Sequence, residues 1–257
     1  MSVQIFLVSV VAALVTVLVY LAVGRMSTGH WGKGEVAASE DFTLDSANVL
    51  IGLLFSIVLA FVVGSVLVDY DHARSEAQQE ANAIGAIYGY AWGIPEPAQS
   101  TWKRGARYYA TLVIDQDWPL MNRKQASETA WTALTSLRDD IFAFTAANDR
   151  EQSFQDRAID KIQEIYDARR TRVDLVNAGI PDFLWYTLIG GAALVVLFPL
   201  LSRPHLTGRI LIAVGIQGAV IAGALYLVSV LNHPYSGTYR VEPSAFQILV
   251  NRLTPPP

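Results

Sequence analysis

The chain has 257 residues, 52% of them hydrophobic and 16% charged, with a formal net charge of -4 and no cysteine. This balance points to a membrane protein with a soluble portion. It excludes a disulfide framework, a thiolate metal site, a cysteine nucleophile and a strongly basic nucleic-acid surface.

Val3–Val23 carries only Gln4, Ser9 and Thr16 as polar residues and lacks the charged leading region of a cleaved signal peptide, so it reads as a retained first span. Gly29, Gly32 and Gly34 break periodicity in the polar loop that follows. From Ala47 an apolar run extends to Val68, long enough for a hydrocarbon core of about 30 Å. It passes without Gly or Pro interruption at Asp69 into the charged sequence DYDHARSEAQQEANAIGAIYGYA, which predicts one continuous helix leaving the membrane.

Beyond it, breaks are expected at Ile94-Pro95-Glu96-Pro97, at Trp118-Pro119 and near Asn148-Asp149. Ala98 to Gln116 carries Trp102, Ala106, Tyr109, Leu112 and Val113 at helical spacing. Ser127 to Ala147 repeats the pattern with Trp131, Leu134, Leu137, Ile141 and Phe144. A fourth helix, Asp149 to about Asn177, places Phe154, Ala158, Ile162, Ile165, Tyr166, Val173 and Val176 on one stripe, and its expected antiparallel partner is Asp69–Tyr90. Phe183–Leu201 and Ile210–Leu231 predict a third and fourth span joined as a hairpin, and a modest apolar helix is expected around Phe246–Leu253.

The predicted fold class is therefore all-α: an integral membrane protein with four transmembrane helices and a helical domain inserted between the second and third spans. Its expected parts are 1–68 (two spans and their loop), 69–182 (soluble helical domain), 183–231 (transmembrane hairpin) and 232–257 (C-terminal tail). An even span count puts both termini and the soluble domain on one side. Arg74, Arg169, Arg170, Arg172 and Arg240 against Arg25, Lys33, Arg203 and Arg209 marginally favour the cytoplasm.

The segment LIGLLFSIVLAFVVGSVLVDYDHARSEA, followed by EANAI, IPEP, DQDWPLM, RRTRVDL, IPDFLW and HPYSG, resembles a family of bacterial membrane proteins of unassigned function described as bestrophin-like. Similarity to the true bestrophins is fainter, resting on Leu59-Ala60-Phe61, Asp69-Tyr70-Asp71, Ala73-Arg74 and the order of spans. Those proteins are pentameric anion channels whose second span lines a pore with an apolar neck. The resemblance implies a homo-oligomer in the bacterial inner membrane, surrounded by lipid, with neck candidates Leu53, Ile57 and Phe61. The eukaryotic calcium clasp has no counterpart, because Glu242 stands alone in TYRVEPSAF.

Each feature also has a structural reading. Leu53, Ile57 and Phe61 share a face that can equally pack on another helix, and Gly52, Ser56, Ala60 and Gly64 form a row suited to close contact within or between subunits. Asp69, Asp71 and Arg74 are either a solvated face or an ion-selecting vestibule. Arg169, Arg170 and Arg172 pair with acids of the second-span extension, bind lipid headgroups or attract anions, pairing being the first expectation. Glu80 to Asn82 and Asp115 to Pro119 read as hydrogen-bonded joints between helices. His30, His72, His205 and His233 lie in separate segments without metal spacing, and no catalytic arrangement or cofactor motif is present. Two readings rival the channel. One is a non-conducting scaffold or sensor that recruits a protein partner through the soluble helices, aromatics such as Trp102, Tyr108 and Trp131, and the proline-ended tail. The other is an enzyme with a polar pocket among the soluble helices.

Overall fold

The computed structural model describes residues 11, 15–18, 21–22, 38–177, 179–202, 208–236 and 239–253. The first expected span lies largely outside them, as do His30, His205 and the terminal prolines. Every element among the described residues is helical. Three helices among them are long and apolar enough to cross a membrane, those containing the expected second, third and fourth spans.

The long helix α1, Ala38–Tyr90, runs 53 residues and starts earlier than the apolar run suggests. It contributes to both compact units of the chain. The first unit comprises Met1–Val66 and Ile180–Asn232. Here α1 packs Phe55, Val62 and Val66 against Leu188, Ala192 and Val195 of α6 (Asp182–Ser202) and Val228 of α7 (Gly208–Leu231). Close approach of α6 depends on Gly191, where an added Cβ would lie 2.7 Å from Cδ2 of Phe55, whereas one at neighbouring Gly190 would meet nothing within 4 Å. Gly191→Ala is therefore expected to cost about 1–3 kcal/mol by overpacking, and Gly190→Ala close to nothing; thermal unfolding in detergent checks the pair, and equal melting temperatures would refute the contact.

The second unit comprises Leu67–Gly179 and His233–Pro257. A short 3-10 turn, Ala91–Gly93, closes α1, and α2 (Ala98–Leu112) starts after Pro97 with the Ser100 amide donating to Glu96 at 3.1 Å. The expected break at Trp118-Pro119 is not found. Instead a π-helical turn, Val113–Asp117, leads directly into the short helix α3, Trp118–Met121. Its wider turn lets the Trp118 amide donate to Val113, so the ladder has already changed register where Pro119 offers no donor.

Helix α4, Glu128–Ala143, is capped by Ser127, whose hydroxyl accepts from the Ala130 amide at 3.2 Å. It ends before the expected Ala147, at extended Phe144, where the buried Gln155 amide donates to the carbonyls of Ile141 and Phe144 at 2.9 and 2.7 Å. Helix α5 occupies the expected Asp149–Asn177. Asn148 accepts from the Glu151 amide and Glu151 accepts from the Ala147 amide, a reciprocal cap that fixes its start.

α2 packs along α4, and α4 along α5. Contacts of α5 with α1 link Arg172 to Glu80 and Phe154 to Tyr90, so the two helices run in opposite directions. The core holds Ile84 and Ile87 of α1, Trp102 and Tyr109 of α2, Leu134 and Leu137 of α4, and Ile162 and Ile165 of α5. Trp102, expected to be an exposed partner-recruiting aromatic, is completely buried, with its ring edge-on to Phe144. The C-terminal segment joins this core through Tyr235, whose hydroxyl donates to the Ala73 carbonyl at 2.8 Å, and Phe246 of α8 (Ser244–Leu253).

Candidate functional site

Two features of α1 stand out, one in each unit. In the first unit, the side of α1 opposite Phe55, Val62 and Val66 carries Leu53, Ile57 and Phe61, which are 55%, 45% and 75% exposed. Three large apolar side chains four residues apart thus form a continuous face with little cover from the protomer. Flanking it, Ser56 and Ala60 are exposed, and a Cβ added at Gly52 or Gly64 would touch nothing within 4 Å. The small-residue row therefore serves no close helix contact among the described residues of one protomer.

In the second unit, the side of α1 opposite Ala73, Ala77 and Ile84 bears Asp71, Ser75, Gln78 and Asn82, all exposed. Asp69 is half-buried, Arg74 faces solvent, and His72 meets Glu76 at 3.1 Å.

Inside that unit four charged side chains meet. Glu80 of α1, Asp117 of the π-helical turn and Arg172 of α5 are all fully buried, and Arg169 nearly so. Arg172 donates Nε to Glu80 Oε2 at 2.7 Å and Nη2 to Glu80 Oε1 at 3.1 Å and to Asp117 Oδ2 at 2.9 Å. Arg169 pairs with Asp117 through Nη1 and donates Nη2 to the Ser127 carbonyl at 3.1 Å. The Tyr109 hydroxyl donates to Glu80 at 2.5 Å. Asp117 also accepts from the Ser127 amide at 2.8 Å, and the Arg172 guanidinium lies 5.1 Å from the Trp118 ring centroid.

Two carboxylates and two guanidiniums balance in charge, and their oxygens are hydrogen-bonded, which is the condition under which buried ions are tolerated. Burial by itself would raise the Asp117 carboxyl, but the Arg172 and Arg169 guanidiniums hold it below its ordinary value. Burial opposes the charge of Arg172 too, yet Glu80 and Asp117 push its pKa well upward. Burial, and then Glu80, raise Tyr109 well above the usual phenol range, keeping its hydroxyl a donor. The π-helical turn rotates Asp117 into this cluster, joining α1, α2, α4 and α5 at one point.

Of the three arginines singled out in the sequence, Arg169 and Arg172 thus lie in buried ion pairs and Arg170 faces solvent. The pairing of α5 with Glu80 was foreseeable from opposite charges on two antiparallel helices. Asp117 forms the hydrogen-bonded joint expected of Asp115 to Pro119, but its pairing with Arg169 and Arg172 was not foreseeable, because a regular α-helix through Pro119 gives no reason for it to turn inward.

The sequence matches the Bestrophin-like domain over residues 47–246. No curated protein matches. Among solved structures, the chain is similar to a bacterial bestrophin homologue from Klebsiella pneumoniae, at 12% identity, with 98% of this chain and 97% of that one covered and a TM-score of 0.68. A singly substituted form of the Klebsiella homologue matches at 14% identity, with 98% and 97% covered and a TM-score of 0.68. A structure described only as a substituted membrane protein matches at 12% identity over 94% of each chain, with a TM-score of 0.70. Those likenesses establish the fold, and the match over residues 47–246 establishes the lineage: the chain belongs to the bestrophin-like family.

Proposed function

We propose that the protein is an anion channel of the bacterial inner membrane, built as a homopentamer with α1 of each copy facing a central pore. The observation that carries this reading is the uncovered apolar face Leu53, Ile57 and Phe61 on a helix whose opposite side is packed. Repeated around an axis, those residues form three successive apolar rings, a constriction that can control conduction by dewetting. The small-residue row Gly52, Ser56, Ala60 and Gly64, which meets no close helix contact among the described residues, suits close contact between neighbouring copies.

Asp69, Asp71 and Arg74 then stand in the vestibule just beyond the apolar segment, and Arg170 adds an exposed positive charge on α5. Arg169 and Arg172 serve the vestibule indirectly, by holding the α1 extension to α5 and the π-helical turn. The assembly spans the membrane four times per copy, with the helical unit and both termini in the cytoplasm. Exposed Tyr108 and Trp131 favour a second reading, a non-conducting scaffold that docks a partner protein on the helical unit.

Native mass spectrometry of the detergent-purified protein, paired with chloride flux in reconstituted vesicles, tests both readings. A pentamer with chloride flux above empty vesicles is the expected result. A monomer or dimer across mild detergents overturns the central pore, and a pentamer without flux under any applied gradient favours the scaffold.

A further inference from the structure

The helical unit carries two oppositely charged faces that point away from each other. On α2, Lys103, Arg104, Arg107 and Tyr108, together with Tyr88 of α1, line a shallow hollow of about 530 Å³. Lys103 lies over the ring of Trp92, 2.9 Å from its centroid, and Trp92 and Tyr108 are 69% and 54% exposed. A patch of arginine, tyrosine and tryptophan has the composition of a protein-binding hot spot. On α5, Asp156, Asp160, Asp167 and Asp174 are all exposed, and their spacing of four and seven places them on one side of the helix, with Arg170 at the edge. Beside this acidic row Trp131, Tyr166 and Val173 border a largely apolar hollow of about 220 Å³.

Helix geometry fixes how the faces are related. Tyr109 of α2 and Arg169 of α5 point toward each other, 3.4 Å apart in the core. At 100° per residue, the basic face of α2 lies about opposite Tyr109, and the acidic face of α5 opposite Arg169. The two therefore lie on opposite sides of the bundle, separated by the core.

From this we infer that the basic α2 face of one copy docks onto the acidic α5 face of the next, so that charge-paired, head-to-tail contacts between helical units build the ring. The inference rests on the oligomeric reading above and names the surfaces that would make it. Like faces repel, which disfavours a two-fold dimer through either one, whereas complementary faces on different sides of the bundle make a head-to-tail contact, which gives a ring when its rotation closes. Aromatic side chains at the basic face and an apolar hollow beside the acidic one supply the contact that charge alone does not.

The test uses the full-length protein in mild detergent, with subunit number read by native mass spectrometry. Arg104→Glu with Arg107→Glu, and separately Asp160→Lys with Asp167→Lys, are each expected to convert the oligomer largely to monomer, because every contact then opposes like charges. Combining all four changes in one chain restores opposite charges at each contact, and the oligomer is expected to return. The four positions are exposed, and unchanged far-ultraviolet circular dichroism separates dissociation from unfolding. Salt should weaken the wild-type assembly, with about a ten-fold or greater loss of affinity between low and high ionic strength. Retention of the wild-type oligomer by both paired variants, or failure of the combined variant to reassemble while folded, overturns the inference. Loss of binding to vesicles of anionic lipid by the Arg104→Glu, Arg107→Glu variant, with its oligomer intact, also overturns it and assigns the hollow to phosphate headgroups. A wild-type monomer would instead remove the oligomeric reading itself.

Discussion

Arg172→Met is expected to leave the helical unit about 3–5 kcal/mol less stable, the usual cost of removing one partner from a buried ion pair. Arg172 is fully buried and its guanidinium binds Glu80 on α1 and Asp117 in the π-helical turn at once. Methionine has a comparable apolar reach, so the loss comes from stranded charge. Among the described residues Glu80 would keep only the Tyr109 hydroxyl, and Asp117 would keep Arg169 and the Ser127 amide. Thermal unfolding followed by circular dichroism should show a fall of roughly 10 °C or more. Arg172→Lys should recover little, because an ammonium lacks the planar fork that spans both carboxylates. Adding Glu80→Gln to Arg172→Met removes the stranded carboxylate, so the double variant should be less damaged than the sum of its single changes. A melting temperature within a degree or two of wild type for Arg172→Met would show that the cluster does not hold the unit together.

The features readable from sequence are those governed by neighbouring residues. The continuity of α1 past Asp69 follows from the absence of Gly or Pro at the boundary, and the start of α5 follows from Asn148 and Glu151, which bring their own cap. Trp118-Pro119 misled because a proline normally signals a break, whereas here a π-helical turn had already shifted the hydrogen-bond register. That same turn hid the partners of Asp117: the sequence reads it as part of a hydrogen-bonded joint, but its pairing with Arg169 and Arg172 depends on a non-standard helical period. Trp102 was legible as part of a buried stripe through Ala106 and Tyr109, and reading it as exposed set that spacing aside. For Leu53, Ile57 and Phe61 the limit is different in kind: the packing among the described residues leaves that face uncovered, and spacing along the sequence does not say what a helix face meets.

Phe61→Ala should raise chloride flux through reconstituted vesicles, and Ile57→Ala should do so to a smaller extent, since less apolar volume is removed from a more covered position. The physical basis is the cost of wetting a narrow apolar ring, which falls as the ring widens. A reduction of about 1 kcal/mol in that barrier corresponds to a roughly five-fold increase in rate. The prediction separates from stability because Phe61 is 75% exposed, so its truncation opens no cavity in the protomer, whereas Phe55, 7% exposed, anchors α1 to α6. Phe55→Ala is thus expected to lower the melting temperature, and Phe61→Ala to leave it nearly unchanged. Ile216 on α7, 61% exposed, provides a control on another helix. If α1 alone faces the pore, Ile216→Ala leaves flux at the wild-type level. A Phe61→Ala protein that is oligomeric, correctly inserted and no more conductive than a conducting wild type would take Phe61 out of the ion pathway. An equal rise in flux from Ile216→Ala would move the pathway away from α1.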